Sequence, residues 1–234
     1  MDHIALAERF VAMHFPAATT AVLAGSTARG TRTATSDLDL LLIGEDLFAD
    51  AHTVRGSSSH AGTYGFEGEA VEVFAYTPSG FEEWARRGVA QHRPVIVHML
   101  VEGLPLRTGP ELRSLRDRWA SVLQSGPTLG DAESTTRRYV ITDLLDDFLD
   151  ADDALERHQL AAALFDRTAE LILLTNGRWV ASGKWLPRRL RDFDPQRAAQ
   201  LSAPLLIGDH SSFAAQVEHE LDLAGGRVYE GYVR

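Results

Sequence analysis

The chain has 234 residues, 44% hydrophobic and 24% charged, which is enough for one large or two small domains with real cores. Its 33 acids against 23 Lys and Arg give a formal net charge of -10. That balance disfavours a long nucleic-acid ligand, which needs a basic surface, and suits a small neutral or cationic one. The absence of cysteine excludes disulfides, zinc–thiolate sites and cysteine nucleophiles. The first residues, MDHIALAERF, have neither a basic start nor an unbroken apolar core, so no signal peptide is expected. No apolar run approaches the ~20 residues of a membrane span, and a cytoplasmic protein is expected. The nine histidines form no His-x-x-His or His-Glu-x-x-His cluster, which argues against a zinc enzyme.

In chain order, residues 2–14 predict an amphipathic helix with Leu6, Phe10 and Met13 on one face, stopped by Pro16. Strands are expected at about 20–24 and 37–43, and a helix over 45–53. The Gly/Ser-rich 55–63 reads as a mobile loop. Residues 69–76, EAVEVFAY, alternate and carry valines and aromatics, so they predict a third strand. Pro78-Ser79-Gly80 predicts a turn, with Ser79 capping a helix over 81–90. The apolar run 94–101 predicts a short helix, 103–109 a short strand and 110–124 a helix. Gly126-Pro127 and Gly130 mark a domain boundary. Beyond it only helices are expected. Residues 131–151 carry an apolar stripe of Val140, Ile141, Leu144, Leu145, Phe148 and Leu149. Residues 154–175 repeat apolar side chains at helical spacing and end at Asn176-Gly177. A polar and aromatic loop follows at 178–190, then short helices near 195–202 and 211–223. Gly225-Gly226 is expected to free the last eight residues.

The chemistry concentrates in Gly25-Ser26-Thr27-Ala28-Arg29-Gly30 and Ser36-Asp37-Leu38-Asp39. An apolar run leads into the first stretch and another leads out of the second. The pattern reads as strand, tight Gly/Ser turn, polar connection, strand. Asp37 and Asp39 are two residues apart on a strand, so both carboxylates point to one face. Converging acids repel unless a cation lies between them, and Mg²⁺ prefers carboxylate, water and phosphate oxygens. The turn offers backbone N–H groups and a hydroxyl to a phosphate. Phosphate cradle beside metal site is the layout of phosphoryl or nucleotidyl transfer.

GSTARG…SDLDL resembles the Gly-Ser…Asp-x-Asp signature of the DNA polymerase beta-like nucleotidyltransferases. It is most similar to the small bacterial members: aminoglycoside and lincosamide nucleotidyltransferases and uncharacterised nucleotidyltransferase-domain proteins. The resemblance implies an α+β fold, with a small mixed-sheet nucleotidyltransferase domain at 1–125. An all-α helical bundle at 130–234 would follow, and the active site would lie in the cleft between them. It implies a third acid on a later strand, for which Glu69 and Glu72 are candidates and Glu72 is favoured. Asp37, Asp39 and Glu72 would then hold two Mg²⁺ ions. Gly25, Ser26, Arg29 and Ser36 would serve the triphosphate of ATP or another NTP.

The expected reaction is transfer of a nucleoside monophosphate, AMP from ATP, to a hydroxyl of a small molecule such as an antibiotic, releasing pyrophosphate. The alternatives are the same chemistry on a protein or tRNA, as in toxin–antitoxin nucleotidyltransferases, and nucleotide binding without turnover. A homodimer is compatible with the family.

In the helical half, Lys184 sits on a Gly-hinged loop with Trp179, Trp185, Arg188 and Arg189 around it. It reads as a point charge for the triphosphate or as part of a solvated basic loop. Asp143, Asp146, Asp147 and Asp150 form an acidic stripe, which is either a solvated face or a wall for a cationic acceptor. In the second case Asp143 or Asp147 serves as general base, with Glu170 behind them. Two Arg-x4-His spacings, Arg87…His92 and Arg93…His98, resemble the ribonuclease motif of HEPN domains but overlap and lie in the wrong half.

Overall fold

The computed structural model describes residues 2–48, 57–108 and 110–230. The chain divides into two compact units, Met1–Ser125 and Gly126–Arg234. The first is α+β and the second is helical.

The first unit opens with α1 (His3–His14), capped by Asp2, whose carboxylate accepts from the N–H groups of Ile4 and Ala5. It then runs β1 (Thr20–Leu23), the single-turn helix α2 (Gly25–Ala28), β2 (Leu38–Ile43), β3 (Ser59–Phe66) and β4 (Glu69–Tyr76). Next come α3 (Pro78–Ala90), α4 (Val95–Glu102), β5 (Leu104–Arg107) and α5 (Pro110–Ser125). The five strands form one mixed sheet in the order β3-β4-β2-β1-β5. Only β2 and β4 pair in parallel; the other neighbours are antiparallel.

Alternation along β2 and β4 splits their side chains between two cores. Leu38, Leu40 and Leu42 of β2, with Val71, Val73 and Ala75 of β4, pack against Leu6, Ala7, Phe10 and Val11 of α1. Leu41, Ile43 and Tyr76 pack on the other side with Phe81, Val97, Leu100 and Trp119 of α3, α4 and α5. Both faces are covered, so these strands read as near-continuous apolar runs, and the polar exceptions at their starts stand out.

Several sequence expectations change here. Met13 is exposed: it lies in the last turn of α1, at the edge of the stripe formed by the buried Leu6, Ala7, Phe10 and Val11. Residues 45–48 form turns rather than helix, and 49–53 lie outside the described residues. The expected loop 55–63 becomes strand from Ser59 onward, while 55 and 56 lie outside the described residues. Its partner supplies the order: all eight residues of β3 pair with β4. Glu67 and Gly68 both have positive φ, as in the tight turn of a type I′ hairpin. Tyr64 and Phe66 set their rings 5.6 and 5.3 Å from Phe10. The cap of α3 is Thr77 rather than Ser79: its hydroxyl accepts from Gly80 N–H at 3.1 Å, and Pro78 takes the first helical position, where no N–H is needed.

The second unit comprises α6 (Asp131–Asp150), α7 (Ala154–Thr175), α8 (Trp185–Phe193), α9 (Pro195–Ile207) and α10 (His210–Leu223). Its core gathers Ile141, Leu145, Phe148, Leu164, Ile172, Leu190, Leu201, Phe213 and Val217. Leu149 is exposed and does not join the α6 stripe. Helix α7 closes as its Asn-Gly ending predicts: Arg178 N–H donates to Leu173 O at 2.8 Å, and Gly177 N–H to Leu174 O at 3.0 Å.

The expected loop 178–190 is helical from Trp185, because Leu186 and Leu190 are buried at helical spacing. Helix α9 continues to Ile207, past the expected end. The chain after Gly226 is not free at its start. Arg227 pairs with Glu218 and Asp146, Val228 N–H donates to Thr142 at 3.2 Å, and Arg138 holds the carbonyls of Gly225 and Gly226. No helix among the described residues is long and apolar enough to cross a membrane.

Candidate active site

The parallel ladder sets Asp39 of β2 directly beside Glu72 of β4. Both lie at the start of the face whose continuation is core: Leu41 and Ile43 follow Asp39 at the same parity, and Phe74 and Tyr76 follow Glu72. Asp37 precedes β2 by one residue, so it lies before the ladder begins. One carboxylate oxygen from each of Asp37, Asp39 and Glu72 lies within 4.8 Å of the others, and all three residues are half-buried.

This packing has an electrostatic consequence. Burial pushes the Glu72 carboxyl up from the ordinary range, and the charge of Asp37 adds to that. Three hard oxygen donors at this spacing could hold a divalent cation, which would relieve the repulsion.

Gly25 closes the other side. Its φ is +66°, a region glycine enters at no steric cost. A Cβ built there would lie 1.6 Å from Asp39 Oδ2 and 2.5 Å from its Cγ. The end of β1 is pinned to the same residue, with Ala24 N–H donating to Asp39 O at 2.8 Å. The expected Gly/Ser turn is the one-turn helix α2, whose first N–H groups have no partner within the helix itself.

Ser26 is half-buried in α2, and its carbonyl accepts from Thr31 N–H at 2.9 Å. Arg29 ends α2 with its Nη1 3.8 Å from Glu102 of α4. The Ser36 hydroxyl closes the turn before Asp37, accepting from Thr33 N–H at 2.9 Å. The structure therefore brings Gly25, Asp37, Asp39 and Glu72 to one place, with Ser26 in the adjoining turn of helix. Glu69 lies on the opposite face of β4 from Glu72 and pairs with Arg32.

Asp143, Asp147 and Lys184 belong to the second unit. Asp143 and Asp147 are exposed on α6 one turn apart. Lys184 is exposed at the cap position of α8, its Nζ 5.9 Å from the Trp185 ring centroid; Arg188 lies 4.6 Å from the same ring. Glu170 is buried and held by Arg137 and Arg167 at 3.1 and 3.6 Å, so it braces α6 against α7.

Residues 6–93 match the family model described as nucleotidyltransferase domain. That nucleotidyltransferase-domain segment runs from within α1 through α3 and includes all three acids. Among solved structures, the chain is similar to the crystal structure of a nucleotidyltransferase-like protein from Exiguobacterium sibiricum 255-15. The two share 15% identity, with 95% of this chain and 77% of that chain covered at a TM-score of 0.45. Comparison with curated proteins gives no match.

Sequence reading passed over Arg32, whose guanidinium reaches Asp37 and Glu69. The only signal was an arginine inside the polar connection before an acidic pair.

A stability prediction follows from the raised Glu72 carboxyl. A raised acid is harder to ionise in the fold than in the unfolded chain. Its contribution is therefore favourable below the unfolded value, near pH ~4.3, and is lost as pH rises through the higher folded value. In metal-free buffer, Glu72→Gln is expected to melt above the parent at neutral pH, with the gap closing on acidification. Melting curves in EDTA across that range check this; a lower or pH-independent Tm difference contradicts it.

Proposed function

We propose that the chain catalyses metal-dependent transfer of a nucleoside monophosphate, AMP from ATP, to a hydroxyl of a small molecule. The observation that carries this reading is the meeting of Asp37, Asp39 and Glu72 beside the Gly25 turn. It lies within the segment that matches the nucleotidyltransferase domain.

Asp37, Asp39 and Glu72 would hold Mg²⁺, two ions in the working state. The ions would supply Lewis-acid stabilisation of phosphoryl oxygens and a lowered pKa for the acceptor hydroxyl. Gly25 and Ser26 bind the triphosphate through backbone N–H groups and the Ser26 hydroxyl. Arg29 adds positive charge to that contact, and Ser36 shapes the turn that presents Asp37. The acceptor oxygen forms its bond to the α-phosphorus as the bond to the bridging oxygen of the leaving pyrophosphate breaks. The acceptor proton passes to a base, for which Asp143 and Asp147 are the candidates, and Lys184 serves the triphosphate as a point charge.

The acidic balance of the chain supports a neutral or cationic acceptor over tRNA. An acceptor screen read by pyrophosphate release, with each NTP and with Mg²⁺ or EDTA, tests this. Release that requires the metal and one small acceptor is the expected result. Label transferred from ATP to a macromolecule in lysate would move the reaction to a protein or RNA. Binding of ATP with no release from any acceptor would reduce the chain to a nucleotide-binding protein. Lys184→Ala is expected to raise the KM for the NTP by about tenfold, the worth of one hydrogen bond to a charged group; an unchanged KM removes Lys184 from the site.

A further inference from the structure

We propose that Arg32 positions Asp37 in the metal site, and that Glu69, on the opposite face of β4 from Glu72, neutralises Arg32. This rests on the reading of Asp37, Asp39 and Glu72 as metal ligands. Of the three, Asp39 and Glu72 are aimed by the β2–β4 ladder, while Asp37 lies before it. The connection leading to Asp37 closes on itself through Thr31 to Ser26 and through Ser36 to Thr33, contacts that leave Asp37 untouched. Arg32 supplies the contact to that residue. Its Nη1 donates to the Asp37 carbonyl at 3.1 Å and reaches Thr27 Oγ1 of α2 at 3.4 Å. Its Nη2 is paired with Glu69 of β4, and the other Glu69 oxygen lies 3.6 Å from His3 Nε2 at the start of α1. One planar guanidinium thus joins α2, the connection before β2 and the start of β4. A lysine, with a single ammonium, cannot span both Asp37 and Glu69 in the same way.

The charge arrangement follows the same logic. The Arg32 side chain is only 17% exposed, and a poorly solvated cation beside a divalent-ion site opposes loading. Glu69 cancels that charge from the far face of β4.

The test is Mn²⁺ titration of the full chain without nucleotide, followed by electron paramagnetic resonance, with melting curves of each variant in EDTA. Partners that orient metal ligands typically contribute about 10–100-fold to affinity. Arg32→Ala is expected to weaken Mn²⁺ binding about tenfold or more. Arg32→Lys should fall between it and the parent, and Glu69→Gln should also weaken binding although Arg32 is intact. Mn²⁺ affinity unchanged in folded Arg32→Ala overturns the proposal, as does weakening that merely tracks a fall in Tm. If Arg32→Ala does not fold, Arg32→Lys and Glu69→Gln decide: parent-like affinity in both overturns it. The underlying reading fails separately, if Asp39→Asn binds Mn²⁺ as tightly as the parent.

Discussion

Asp39→Asn is expected to abolish the proposed nucleotidyl transfer, with a loss of at least about 10³-fold in kcat, while the protein stays folded. The size of the effect follows from where Asp39 sits. It is the one acid of the three that touches both halves of the arrangement: it is laddered to Glu72 and packed under Gly25. The amide keeps the shape and so keeps that packing, but it removes one of the negative charges that would hold the ion. The backbone ties of Asp39, its carbonyl to Ala24 N–H and its place in β2, do not depend on the carboxylate. Circular dichroism and Tm should therefore stay close to those of the parent. Pyrophosphate release measured with saturating Mg²⁺ and acceptor is the readout. Full activity in the variant would refute the proposed chemistry.

Gly25→Ala is expected to destroy the site by displacement rather than by removal. Its new Cβ would sit 1.6 Å from Asp39 Oδ2 and 3.1 Å from Asp39 Cβ. The carboxylate is the flexible partner, so it must swing away from Asp37 and Glu72. Holding a side chain at φ +66° costs a further ~1–2 kcal/mol. A fall in Tm of a few degrees is expected, at about 2–4 °C per kcal/mol for a chain of this size. Mn²⁺ affinity should fall by far more than such a loss of stability explains, by about 10-fold or beyond. Gly30→Ala is the control: its φ is +67° but no atom lies within 4 Å of the added carbon, so it carries the backbone strain without the displacement. Equal Mn²⁺ affinity in the two variants would show that the collision with Asp39 does not matter.

Much of the sheet was legible because β1 and β2 are buried on both faces, which demands apolar runs, and because β4 alternates, with Val71, Val73 and Ala75 buried. Asp39 and Glu72 stand out as polar exceptions against those patterns. β3 was not legible. Ser59, Gly62 and Gly65 carry the composition of a loop, and the strand is specified by its partner and by the Glu67-Gly68 turn, both non-obvious from local residues. Trp185-Leu186-Pro187 hid the start of α8 for a related reason: a proline reads as a breaker, yet it is tolerated in a first helical turn, where the lost N–H has no helical partner. Within the site, Asp37 and Asp39 could be recognised by their spacing of two residues, and Glu72 through the resemblance, which asks for a third acid on a later strand. Arg32 could not, because its contacts to Asp37 and Glu69 depend on how a polar connection folds back, and no periodicity governs that.

The parallel pairing of β2 with β4 has one more consequence. Sliding one strand past the other by a single residue would turn Glu72 to the opposite side of the sheet and push Val71 and Val73 out of their core. The meeting of the three acids and hydrophobic burial therefore depend on the same alignment, and a chain that assembles one wrongly loses both. A divalent ion held by Asp37, Asp39 and Glu72 would bind only the correctly aligned sheet, so raising its concentration would select that alignment by mass action. In refolding, the ion would act as a proofreader of strand register, on a parallel pairing between strands that are not consecutive in the chain, a kind that is intrinsically slow to form.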